Sequence, residues 1–216
     1  MNEFKADVML KRAKKVVSAL KKRNIDAYFI SDREEALKLI IGMIPEGATV
    51  ALGGSVTIIE SGLVDLLRKK PGINLLDRYR PGISREEVDK MRLSGLTADC
   101  FITGTNALTL DGRLVNIDGL GNRVAAMAYG PGKVIVITGY NKIMSDVYEG
   151  IKRIKEIAAP ANTLRVKANT PCNKTGFCDD EACFPPERIC NIISIIEGQR
   201  IPGRMSVVIL AEPLGF

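Results

Sequence analysis

Apolar residues along this chain follow two rhythms. Phe4, Val8, Ala13, Val16, Val17 and Leu20 recur at helical spacing with Lys and Arg between them, which predicts an amphipathic helix over 3–23. Six short runs without that spacing follow, at 25–30, 48–52, 73–76, 98–103, 133–138 and 206–211. Near-continuous apolar runs of this length predict strands buried on both faces. Helical segments separate them. Ser31-Asp32 caps one that runs to about Met43, and Val56 to Lys70 forms a second. Ser84-x-x-Glu87 is a capping box opening a third, and Ser145 to Ala158 a fourth. This alternation predicts one α/β domain over residues 1–216, with a mainly parallel sheet covered on both faces.

One stretch interrupts the alternation. Ala107 to Leu110 and Arg113 to Ile117 flank Asp111-Gly112, which predicts a tight β-hairpin projecting from one edge or end of the sheet. Asp118-Gly119 and Gly121-Asn122 then lead into Arg123 to Ala128, a small-residue run best suited to a short helix. Beyond Pro160 the pattern weakens. Residues 169–190 form a Cys-rich loop, and Ile192 to Ile196 is simply an apolar run.

Composition narrows the classes. Of 216 residues 46% are hydrophobic, enough for a sizeable core. The net charge of +6 owes much to Lys11, Arg12, Lys14, Lys15, Lys21, Lys22 and Arg23. Aromatic residues do not interleave with them, so they form the solvated face of a helix rather than a nucleic-acid surface. No apolar run reaches the length of a membrane span. Glu3 and Asp7 among the N-terminal lysines argue against a signal peptide. Five cysteines without an export signal imply a reduced, cytoplasmic chain. There is no His, so acid–base chemistry falls to carboxylates, Lys, Tyr or Cys.

Polar side chains collect where strands end and helices begin, which a packed core does not need and a polar ligand does. Gly53-Gly54-Ser55, between a strand and a helix, offers backbone N–H groups to an anion, or makes an ordinary turn. Asn106, Asp118, Asn122, Arg123 and Lys142 occupy similar positions and join Gly53, Gly54 and Ser55 as candidate substrate-binding residues. Arg123 suits a carboxylate or phosphate, or a structural ion pair with Asp118. Glu60 faces either the cleft or solvent. No catalytic dyad is visible. Cys172, Cys178, Cys183 and Cys190 are candidate ligands for zinc or an iron–sulfur cluster, against free thiols, an adventitious disulfide or a disordered loop. Cys100, ending an apolar run, reads as a small buried hydrophobe.

The run TGTNALTLDGRLVNIDGLGNRVAAMAYGPGKVIVITGYNKI resembles the signature of the LUD-domain family, the lactate-utilisation proteins. TVALGGSVTIIESG is similar to that family's strand–turn–helix motif, and TPCNKTGFC…CFPPERICN to its Cys-containing tail. The resemblance implies a three-layer fold like that of ribose-5-phosphate isomerase and the CoA transferases. It also implies a link to oxidation of lactate to pyruvate beside iron–sulfur partner subunits, with a hydroxy acid, sugar phosphate or acyl thioester as the anionic ligand. The alternative is a non-catalytic metal-binding or electron-transfer accessory subunit acting through the Cys-rich tail. Asp179-Asp180-Glu181-Ala182 between Cys178 and Cys183 departs from the family's tighter Cys-x-x-Cys spacing.

Overall fold

A computed structural model of the chain describes residues 3–216, so Met1 and Asn2 of the expected domain lie outside the described residues. The N-terminal helix α1 (Glu3–Lys22) buries Ala13, Val16 and Leu20 and turns its lysines outward. It leads to β1 (Asp26–Ile30), α2 (Arg33–Gly42) and β2 (Thr49–Leu52). Asp32 caps α2 by accepting the Glu35 N–H at 2.8 Å. The expected helix over Val56–Lys70 is instead two, α3 (Val56–Glu60) and α4 (Leu63–Lys69). Gly62 between them has φ +81°, a left-handed conformation that ends a helix and favours glycine.

After β3 (Asn74–Leu76), Ser84 and Glu87 form the predicted capping box of α5 (Arg85–Ser94). Then come β4 (Cys100–Gly104), β5 (Ala107–Thr109), β6 (Leu114–Asp118), α6 (Asn122–Ala128) and β7 (Lys133–Gly139). A single 3₁₀ turn, Tyr140–Lys142, precedes β8 (Ile143–Met144). The remaining elements are α7 (Val147–Arg153), α8 (Ala159–Val166), α9 (Pro171–Thr175), β9 (Ile192–Ile196) and β10 (Met205–Leu210).

The six predicted strands form one sheet in the order β1-β10-β7-β4-β2-β3, with every pairing parallel. Their side chains alternate between two cores. Ile135, Ile137, Val208 and Leu210 pack with Ile40 of α2 and with Ile58 and Leu67 of α3 and α4. Val134, Val136, Val207 and Ile209 face α1, Met127 of α6, and Leu108 and Leu114 of the hairpin. These are three layers. Cys100 is 0% exposed within the first core, where burial pushes its thiol up to about 12.

The hairpin does more than project. β5 and β6 form the centre of a second sheet, β8-β5-β6-β9, whose outer strand is the run Ile192–Ile196. Asp111-Gly112 makes the turn, with Gly112 at φ +85° and the Gly112 N–H donating to the Thr109 carbonyl at 2.9 Å. A second departure lies beyond α7. The helix expected to end at Ala158 widens into a π-turn, Ile154–Ala158, and continues through Pro160 into α8. Proline lacks the N–H that a regular helix needs, and the π-turn just before it is a break in the regular ladder that accommodates the ring.

Candidate functional site

The carboxyl ends of β2, β4 and β7 and the open end of the second sheet enclose a cavity of about 230 Å³. Gly54, Ser55, Asn106, Asp118, Asn122, Arg123 and Lys142 line it. Gly53 does not. Its N–H donates to the Ile102 carbonyl at 2.8 Å, its carbonyl accepts from the Tyr79 hydroxyl at 2.6 Å, and a Cβ there would meet Thr103 Oγ1 at 2.4 Å. Gly53 is therefore a packing residue behind the wall. The Ser55 N–H is likewise committed, to Tyr79 Oη at 2.9 Å. Glu60 stands outside the cavity and accepts the Gly215 N–H at 2.6 Å.

Arg123 enters from the first turn of α6 and is 7% exposed. Its Nε and Nη2 donate to Asp118 Oδ1 at 2.9 and 2.6 Å. Nη1 donates to Asn116 Oδ1 at 2.7 Å and the Gly104 carbonyl at 3.1 Å. Nη2 also reaches Asn106 Oδ1 at 2.6 Å and the Ile117 carbonyl at 3.3 Å. Its five N–H groups thus all point to protein acceptors. The guanidinium is the knot that fastens β4, β6 and α6 together. Asn106 has its oxygen engaged by Arg123 and by the Ile117 N–H, while its Nδ2 makes no hydrogen bond with any described residue.

Lys142 is 3% exposed, and its Nζ donates to Thr57 Oγ1 at 2.7 Å. No carboxylate pairs with it among the described residues. Burial, reinforced by the positive charges of Arg153 and Arg123, brings its ammonium down to about 7, with Glu60 opposing weakly. Arg153 is itself buried and lies on backbone carbonyls, Asn106 at 2.8 Å and Asn141 at 3.3 Å.

Three guanidinium groups at the rim escaped the sequence reading as ligands. The Arg78 guanidinium, just past β3, makes no hydrogen bond or ion pair with any described residue and lies over the Tyr79 ring, 5.9 Å from its centre. It lies over Gly54, where a Cβ would stand 3.6 Å from Nη1. Burial lowers its pKa, and the like charges of Arg92 and Arg165 act in the same direction. Arg92, on α5, pairs with Asp89 through Nη1 while its buried Nε has no partner. Arg165, on α8, is held by Asn162 Oδ1 at 3.0 and 2.7 Å. The cavity therefore carries Arg78, Arg92, Arg123, Lys142 and Arg165 against one carboxylate, Asp118, which Arg123 already occupies.

Below this cavity, a void of about 10 Å³ is lined by Cys172, Cys178, Cys183 and Cys190, together with Asp180 and Arg188. Cys172 is buried, Cys178 exposed, and all four thiols are free. Among the described residues, no three Cys, Asp or Glu side chains are placed to share one ion. Burial raises the Cys190 thiol to about 11 and also raises Cys178. Asp180 is engaged by Lys155 at 2.6 Å and Arg188 at 2.7 Å.

A family model for the LUD domain matches residues 13–210. This chain belongs to the LUD-domain family. No curated protein matches it. Among solved structures, the LUD-domain chain is similar to a DUF162 family protein from Deinococcus radiodurans. The two are 14% identical over 95% of this chain and 98% of that one, with a TM-score of 0.51. At that identity the likeness concerns the fold alone. The beta and delta chains of eIF2B from Chaetomium thermophilum align over 54% and 55% of this chain, and 44% and 50% of theirs. Their identities are 16% and 20% and their TM-scores 0.37 and 0.35, too slight to carry an argument.

The same rule that found Lys142 in the LUD-domain chain, a polar residue directly after a strand, also applies to Arg78 after β3. Arg92 and Arg165 carry no such signal. They reach the cavity from helices whose placement over the strand ends is a tertiary fact. No helix of the described residues is long and apolar enough to cross a membrane.

Proposed function

We propose that this LUD-domain chain binds a small anionic molecule in the strand-end cavity. The observation that carries the reading is the surplus of cationic groups there. Arg78 has no acidic partner, the Arg92 Nε is buried without an acceptor, and Lys142 has only a hydroxyl. A buried donor without an acceptor costs about 1–3 kcal/mol, which an anion would recover. The volume of about 230 Å³ lies below the range of about 300–1,000 Å³ typical of drug-sized ligands. It suits a hydroxy acid or a sugar phosphate; of an acyl thioester, only the acyl end fits. A role linked to oxidation of lactate to pyruvate follows from the family resemblance.

Thermal shift assays against lactate, pyruvate, sugar phosphates and CoA esters test the reading, each compared with chloride at matched ionic strength. A specific ligand at one hundred times its Kd stabilises the fold by about 2.7 kcal/mol. Arg78→Ala should weaken binding at least tenfold and, because the guanidinium lies over the Tyr79 ring, lower the unliganded melting temperature only slightly. No stabilisation by any of these anions at millimolar concentration would refute the binding role.

A second reading rests on the cysteine-lined void. Cys172, Cys178, Cys183 and Cys190 hold zinc or an iron–sulfur cluster, as an accessory carrying electrons beside iron–sulfur partner subunits. Four thiols around one small space supply the donor chemistry, and a bound ion must draw them closer than they stand here. Anaerobically purified protein should then contain near-stoichiometric zinc or iron, and Cys190→Ser should lose it. Metal-free protein with all four thiols titratable would count against it.

A further inference from the structure

We propose that Lys142 is an amine nucleophile that forms an imine with the carbonyl carbon of a phosphorylated aldehyde or ketone bound in the cavity. The inference rests on the anion-binding reading and adds the substrate class and the reacting atom. Three placements support it. Lys142 lines the cavity and is only 3% exposed, and Thr57, which its Nζ contacts, lines the cavity too. Its one hydrogen bond, to Thr57 Oγ1 at 2.7 Å, fixes the amine without neutralising it by a carboxylate. The C-terminal segment packs behind it, where a Cβ on Gly215 would come within 3.3 Å of Nζ.

The charged groups facing Lys142 come from three elements: Arg153 on α7, Arg123 on α6 and Glu60 on α3. Arg123 is paired with Asp118, and Glu60 accepts from the Gly215 N–H. The rim arginines are not among those that perturb Lys142; Arg78 responds to Arg92 and Arg165 instead. The cavity thus has two poles. The Arg78 guanidinium lies over Gly54, which follows β2, while Lys142 follows β7, two strand spacings away, or ~9 Å at the backbone. An anion held at the arginine pole lies remote from a carbonyl presented to Lys142. A phosphate carried several bonds from the carbonyl meets that demand. A 2-oxo acid, with its carboxylate bonded to the carbonyl carbon, does not.

The chemistry balances without another reactant. The Nζ lone pair attacks the carbonyl carbon, forming the C–N bond, and the carbonyl oxygen takes a proton from the nitrogen. The carbinolamine then loses that oxygen as water with the second nitrogen proton, leaving C=N. Reversal by water releases the carbonyl compound. An amine must be unprotonated to attack, and an ammonium brought down to about 7 by burial supplies that form at neutral pH.

The test is reductive trapping. Wild-type protein is incubated with glyceraldehyde 3-phosphate or ribose 5-phosphate and sodium cyanoborohydride, with pyruvate and glyoxylate as parallel arms, and digested for peptide mass mapping. The expected result is one adduct, on Lys142, formed at least tenfold faster than on any exposed lysine, and half-maximal near pH 7. Inorganic phosphate should compete, and the 2-oxo acids should label Lys142 far more slowly. Lys142→Met should lose the adduct while its circular-dichroism spectrum and cooperative melting show that it is folded. Adducts spread over surface lysines, or none at all, while phosphate still stabilises the wild-type protein, would overturn the imine and leave the binding reading intact. Equal labelling by pyruvate would overturn the phosphorylated substrate class. If phosphate and the carbonyl compounds neither bind nor label, the binding reading and this one fall together.

Discussion

Asp118→Ala should lower the free energy of unfolding by about 3–5 kcal/mol, measured as a shift of the urea midpoint at constant m-value. The variant leaves Arg123 buried at 7% exposure with its charge uncompensated. It also strips the Val124 N–H of α6 of its acceptor, Asp118 Oδ2 at 3.0 Å. Arg123→Met in the same chain should recover a large part of the loss, because removing both partners of a buried pair costs less than stranding one. A single variant within 1 kcal/mol of wild type would show that water reaches the pair and that the knot is not structural.

Lys142→Met should stabilise the unliganded protein, and by an amount that depends on pH. The folded-state ammonium sits at about 7 against an ordinary 10.5. Between those values the unfolded chain binds more protons, so wild-type stability rises with pH across this window. Below pH 7 the lysine is protonated in both states, and the folded protein bears the whole burden of the buried charge. Each pKa unit is worth about 1.4 kcal/mol, so the effect is on the order of 5 kcal/mol. Methionine fills similar space without charge, although Thr57 Oγ1 then loses a donor, which offsets about 1 kcal/mol. The gap between variant and wild type should therefore be widest at pH 6 and nearly closed by pH 10. A gap that does not change with pH would mean that Lys142 is not buried as a charge.

The central sheet was legible because its inner strands β2, β4, β7 and β10 are buried on both faces, and such burial writes itself as unbroken apolar sequence. Ile192–Ile196 was not, because a run with Ile192, Ile193 and Ile195 exposed shows no alternation that separates core from surface. The helix across Pro160 was hidden by the general rule that proline ends helices. The rule fails where a wider turn just before the ring breaks the regular ladder and accommodates it. At the candidate site, strand-end position nominated Asn106, Asp118 and Lys142, which all line the cavity. Residue chemistry nominated Arg123 as the anion donor, yet its partners are the acceptors that turn toward it only once β4, β6 and α6 have packed. Arg78, beyond the shortest strand of the main sheet, holds the unpaired charge that Arg123 was expected to supply.

The strand order has a consequence for how the chain is made. β1 has a single neighbour, β10, and the contact between Asp26 and Ser206 spans 180 residues. At about 5–20 residues per second, a ribosome takes roughly 10–35 s to deliver the partner of a strand it made first. Once β7 has been made, its edge also stands open until β10 inserts between it and β1. The nascent chain therefore carries two unpaired strand edges that only β10 closes, so the time for which they are exposed to other chains depends on translation speed.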